Sequence, residues 1–168
     1  TKNKPKIIII GGFLGSGKTS FLIHLARYLG KDHTVAIIEN EIGKTSIDGQ
    51  FLSASGLNVT NMFAGCICCS MSGTLPITIR KIETDFHPDY ILLEATGVAF
   101  PLNIRENLKD TLDLDARIIT LTDAVRFPKM AIAMKDMVAG QLTGAGHILL
   151  NKTDLIEDDK IETLTALI

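Results

Sequence analysis

A charge excess of either sign is missing from this sequence. Seventeen Lys and Arg stand against 19 Asp and Glu, for a net charge of −2, so there is no general attraction to nucleic acid or to an anionic membrane. Long apolar runs are missing as well; the Ile7–Ile10 run falls far short of a membrane span. Cysteine is scarce and confined: all three lie between positions 66 and 69. An odd, tightly clustered set does not make a secreted disulfide framework. The opening Thr1-Lys2-Asn3-Lys4-Pro5 carries no apolar h-region ahead of the first strand, and the expected location is the cytoplasm. Linkers, low-complexity tracts and internal repeats are also absent. What is present is 168 residues, 46% of them apolar, which suits one domain with a proper core and excludes disorder.

Strand and helix signals alternate along the chain. Strands are expected at Lys6–Ile10, Thr34–Ile38, Leu57–Met62, Tyr90–Glu94, Ala116–Leu121 and His147–Leu150. Helices are expected at Thr19–Leu29, Asp48–Ala54, Gly73–Phe86, Pro101–Leu108, Lys129–Gly140 and Asp158–Ile168. Phe21, Leu22, Leu25, Ala26 and Leu29 give the first helix an apolar face, Gly30 ends it as a C′ residue would, and Pro76 falls in the first turn of the third. Strands separated by helices imply parallel pairing with right-handed crossovers, hence a layered α/β sheet whose ligands sit at the carboxyl ends of the strands.

The motifs follow those strand ends. Gly12-Phe13-Leu14-Gly15-Ser16-Gly17-Lys18-Thr19 fits G-x-x-x-x-G-K-[ST], the phosphate-binding loop of nucleoside triphosphatases, with an apolar strand before it and a helix after it. Glycines let successive N–H groups turn inward on phosphate oxygens, and the positive end of the helix faces the anion. Gly15, Ser16, Gly17, Lys18, Thr19 and Ser20 are the expected nucleotide contacts, with Lys18 reaching the β- and γ-phosphates and the Thr19 hydroxyl on Mg²⁺. Asn151-Lys152-Thr153-Asp154 is an N-K-x-D after a late strand. There an Asp carboxylate selects guanine by accepting from N1–H and the exocyclic amine, the alternative being a plain helix-opening loop.

Glu94-Ala95-Thr96-Gly97 follows Tyr90-Ile91-Leu92-Leu93. This is the place of a magnesium-linked acid and a γ-phosphate-sensing glycine; the alternative is a buried strand that ends in Glu. Glu39-Asn40-Glu41-Ile42-Gly43 offers two carboxylates to metal or water, or else is a solvated loop. Gly65-Cys66-Ile67-Cys68-Cys69 is C-x-C-C. Three thiols in four residues converge on a soft cation only in a loop; the alternatives are a redox pair or small core residues. His24, His33, His87 and His147 form no ligand-like cluster and read as structural or exposed, and Asp48, Asp113 and Asp115 as turn or loop acids.

With these pieces in order, the chain resembles the CobW-type GTPases, a metallochaperone family related to UreG and HypB. The likeness rests on the phosphate loop, the E-N-E-I-G and G-C-I-C-C segments, E-A-T-G and N-K-T-D. It implies a three-layer P-loop NTPase fold with a mainly parallel central sheet, formed as a single GTPase domain over residues 1–168 without the C-terminal domain usual in the family. It implies slow hydrolysis of GTP to GDP, with Lys18 and Glu94 catalytic, Thr19 and Glu94 on Mg²⁺, and Asn151, Lys152 and Asp154 on guanine. Cys66, Cys68 and Cys69, with Glu39 and Glu41, are the implied ligands of a divalent metal, Zn²⁺ or alternatively Co²⁺. The implied partners are a client metalloprotein and a homodimer, with no nucleic acid and no membrane. The segment from Glu39 to Cys69 is the expected moving element. Two departures stand out: Lys44 where many members carry Glu, and no histidine near Asn107–Asp113. Rival readings are a P-loop kinase or ATPase, a cobalt, corrinoid or nickel insertion GTPase, and a non-hydrolysing nucleotide-binding module with a structural zinc.

Overall fold

A computed structural model describes residues 4–38, 59–61 and 71–168. In chain order the elements are β1 (Lys6–Gly11), α1 (Lys18–Leu29), β2 (Val35–Ile38), β3 (Val59–Asn61), α2 (Met71–Phe86), β4 (Tyr90–Glu94), α3 (Pro101–Leu112), β5 (Ala116–Asp123), α4 (Phe127–Ala133), α5 (Lys135–Leu142), β6 (His147–Asn151) and α6 (Asp158–Leu167). The strands form one sheet in the order β3-β2-β4-β1-β5-β6, with every pairing parallel. The expected fold class holds. The helix expected at Asp48–Ala54 lies outside the described residues.

Period-2 alternation sorts the strand residues into two cores. Ile7, Ile9, Ala36, Ile38, Ile91, Leu93, Ala116 and Ile118 face one side, where Leu75, Ile79 and Ile82 of α2 and Ile104 and Leu108 of α3 cover them. Ile10, Val35, Ile37, Leu92 and Leu121 face the other, under Leu22 and Ala26 of α1. A third cluster, Ala124, Phe127, Val138 and Leu164, joins α4, α5 and α6, with Phe13 and Leu150 packed against it. β1 sits between β4 and β5, with Ile10 in register with Glu94 on one side and Ile119 on the other. That register brings three strand ends together around the loop that follows β1.

Three local expectations differ from what is observed. Gly30 is right-handed, φ −67° and ψ −6°, and its N–H donates to Ala26 O; the chain simply keeps turning, with the Asp32 and His33 amides both on Leu29 O. Among the described residues other than glycine, the left-handed positions are His87, Asp113 and Lys152. α2 begins at Met71, so Pro76 stands beyond the first turn, where its missing N–H removes a helical bond. The single helix expected over Lys129–Gly140 is two, broken where Met134 takes φ −136° and ψ 43°. The break lets Phe127 and Val138 reach one small core and continues the second helix to Leu142.

Candidate nucleotide site

The turn from β1 into α1 uses glycine where the backbone demands it. Gly12, Gly15 and Gly17 have φ of 130°, 78° and 101°, a region closed to most side chains. A Cβ on Gly12 would collide with the Leu121 carbonyl, and one on Gly17 with the Asn151 amide. The loop is therefore wrapped against β5 and β6. Gly17 precedes α1 without a side-chain cap, leaving the helix's first N–H groups to an anion in the loop. Ser16 is buried, and its Oγ has no hydrogen-bond partner among the described residues. A phosphate oxygen would satisfy it. Lys18 is buried and its Nζ donates to Phe13 O at 3.1 Å; Ser20 is exposed in the first turn of α1.

The ends of the neighbouring strands complete the site. The Thr19 hydroxyl lies 3.1 Å from each carboxylate oxygen of Glu94. Glu94 is carried there by the β1–β4 register, extended by the Ala95 N–H on Ile10 O at 2.9 Å. A hydroxyl and a carboxylate in contact at the foot of a phosphate loop are the hard oxygen donors that fit Mg²⁺. Gly97 lies against the loop backbone, so that a Cβ there would stand 2.7 Å from Leu14 N.

The N-K-T-D segment is brought to the same loop. Asn151 Nδ2 donates to Ser16 O at 2.9 Å, and Lys152 Nζ donates to Gly15 O at 2.8 Å. Lys152 also pairs with Asp123 Oδ2 at 2.7 Å. Asp154, in the single turn Thr153–Leu155, is exposed. The sequence suggested base contacts for all three; the fold gives the first two a further partner in the phosphate loop itself.

Three more residues join the site that the motifs did not reveal. Asp123, only 7% exposed at the end of β5, accepts from the amides of Val125 and Arg126 as well as from Lys152. Burial pushes its carboxyl up, but the Lys152 bond, the two amides and the Lys152 charge outweigh that and hold it below the usual carboxylate range. Arg126 then donates to Leu14 O at 3.1 Å, an arginine beside the phosphate loop but from another element. Gln141 on α5 bonds to Gly12, Gly97 and Ala99. A legible signal existed for Asp123, an acid closing an apolar strand just as Glu94 does. Gln141 had a weaker one, a lone polar residue between Val138 and Leu142.

Cys66, Cys68, Cys69, Glu39 and Glu41 lie outside the described residues, as does the expected moving segment apart from β3. Among the described residues, no group of three or more His, Cys, Asp and Glu is placed to hold a metal ion, and no helix is long and apolar enough to cross a membrane.

The profile of the CobW/HypB/UreG nucleotide-binding domain matches residues 6–168. The chain belongs to this family. The CobW/HypB/UreG domain described here is 32% identical to zinc chaperone YjiA of Escherichia coli, over 91% of this chain and 51% of that protein. It is 28% identical to zinc-regulated GTPase metalloprotein activator 1 of Dictyostelium discoideum, over 98% of this chain and 43% of that protein. It thus spans about half the length of these relatives. The crystal structure of hydrogenase maturation factor HypB from Archaeoglobus fulgidus superposes with a TM-score of 0.65 at 15% identity, covering 97% of this chain and 76% of that one. At that identity the likeness is one of fold.

Proposed function

We propose that this domain binds and slowly hydrolyses GTP, and that its nucleotide state governs the binding and delivery of a divalent transition metal, zinc first, to a client metalloprotein. The observation that carries the nucleotide half is the hydrogen-bonded junction of Asn151 and Lys152 with Ser16 and Gly15. It ties the N-K-T-D segment directly to the phosphate loop. Gly15, Ser16, Gly17, Lys18, Thr19 and Ser20 hold the phosphates, and Asp154 takes the guanine edge. Thr19 and Glu94 hold Mg²⁺, which when bound neutralises charge on the β- and γ-phosphate oxygens. Glu94 would help to hold the ion or would orient the attacking water. The phosphate loop itself has no arginine, in keeping with a slow intrinsic rate that a homodimer or client would raise.

The metal half rests on the C-x-C-C thiols, which suit a soft cation, and on relatives named as zinc chaperones. Glu39 and Glu41 complete the proposed ligand set, and zinc is the cargo rather than a resident cofactor. The test is competition between GTP and ATP for the protein and for Asp154→Asn. The wild type should prefer GTP, and the variant should lose GTP affinity tenfold or more, about 1.4 kcal/mol, with ATP affinity little changed. Equal loss of both nucleotides would point to a P-loop kinase or ATPase instead.

A further inference from the structure

We infer that Gln141 is a positioning residue for triphosphate discrimination: it seats the loop after β4 against the phosphate loop, so that Gly97 is already in place when a γ-phosphate arrives. The inference rests on the GTPase reading above and adds a residue that no motif contains. Gln141 is 1% exposed. Its Oε1 accepts from Gly12 N–H at 3.0 Å, and its Nε2 donates to Gly97 O at 3.3 Å and Ala99 O at 2.7 Å. The partners fix the amide's orientation, since a backbone N–H only donates and carbonyls only accept. Its own carbonyl accepts from the buried Thr120 hydroxyl at 3.0 Å, fastening α5 to β5.

An independent contact one residue earlier reinforces this seat. Gly140 lies under the Phe100 ring, so close that a Cβ there would stand 2.6 Å from the ring edge. The stretch from Gly97 to Phe100 is thus held on α5 at two successive positions, by hydrogen bonds at Gln141 and by the ring at Gly140. On its other side Gly97 abuts Leu14 N. Gly97 is clamped between α5 and the phosphate loop, with its carbonyl already bonded. Only the γ-phosphate separates GTP from GDP, and a loop ordered in advance spends less of that contact on ordering itself. A side chain that merely filled the core would affect both nucleotides alike.

The test uses two variants of the full chain and two fluorescent ligands, GDP and a non-hydrolysable GTP analogue, with single-turnover phosphate release from GTP. Gln141→Glu keeps an acceptor for Gly12 and loses the donors to Gly97 and Ala99. Phe100→Ala, at a half-exposed ring, removes the second hold and leaves every amide bond. Gln141→Glu should weaken the GTP analogue and slow phosphate release tenfold or more, with GDP affinity within threefold. Phe100→Ala should act in the same direction, more weakly. Equal losses for GDP and the GTP analogue, or no loss in either variant, would overturn the inference. Should the buried carboxylate of Gln141→Glu prevent folding, Gln141→Met, of similar volume and without the amide, takes its place and is read by the same ratio of GTP-analogue to GDP affinity. A wild-type protein that binds no guanine nucleotide would overturn the functional reading instead, which keeps the two failures apart.

Discussion

Asp123 brings a carboxylate into the floor of the nucleotide site with its side chain almost wholly covered, and Lys152 answers it at 2.7 Å. Its carboxyl is held below the usual range, so its contribution to stability is complete above the unfolded value of about 4 and is lost as pH falls through the lower folded value. Asp123→Asn should cost about 1–2 kcal/mol at neutral pH, because an amide still accepts from Val125 and Arg126 while Lys152 keeps its bond to Gly15 O and loses only the charged partner. Urea denaturation from pH 7 downward checks this: the variant lies below the wild type at pH 7, and the gap narrows as pH falls below about 4 and through the lower folded value. Gly97 supports a steric prediction. Alanine there puts a carbon 2.7 Å from a backbone nitrogen, where no flexible atom can yield, so Gly97→Ala should displace the phosphate loop. Phosphate release should fall about a hundredfold, as for loss of a transition-state contact, and wild-type turnover by this variant would show that the contact is unimportant. At this scale the phosphate loop was readable because its chemistry is local. The second role of Lys152 was not, because Gly15 lies 137 residues away.

Elements followed the hydrophobic pattern wherever the pattern was repeated and failed it where a single residue changed the geometry. β4 runs from Tyr90 to Glu94 as its apolar run requires. The Lys129–Gly140 pattern read as continuous because 3.6-residue spacing does not register one non-helical residue such as Met134. That break also hid Gln141, which the continuous reading left beyond the helix end. α2 is held to the sheet by Leu75, Ile79 and Ile82, and Ile79 is fully buried. Ile79→Ala should lower stability by about 2–5 kcal/mol, read as a fall in the urea midpoint with an unchanged m-value. A loss below about 1 kcal/mol would mean that α2 is not docked as described.

For the molecule as a whole, the sheet order puts β1 between β4 and β5, so the phosphate loop, Glu94 and Asp123 meet at the carboxyl end of the sheet and bound nucleotide should stabilise all of it. GTP at a hundred times its Kd should add about 2.7 kcal/mol to unfolding. If nucleotide and metal are coupled as proposed, metal affinity should differ at least fivefold between the GTP- and GDP-bound protein, with the reciprocal effect of metal on nucleotide equal in size. Cys66→Ala should weaken the metal and leave GTP binding in place. Competition titration with a chromophoric chelator measures both, and identical metal affinity in every nucleotide state would leave two unrelated sites.

By itself the sequence determined the α/β class and the motifs that follow the strand ends, because period-2 and 3.6-residue patterns and a glycine-rich turn are properties of neighbouring residues. Only the tertiary structure decided which strands adjoin, and so that Asn151 and Lys152 brace the phosphate loop, that Asp123 pairs with Lys152 and that Gln141 joins two loops. Those are hydrogen bonds between residues far apart in the chain. Whether a polar side chain has a partner depends on where the sheet brings the partner, not on what stands beside it in the sequence.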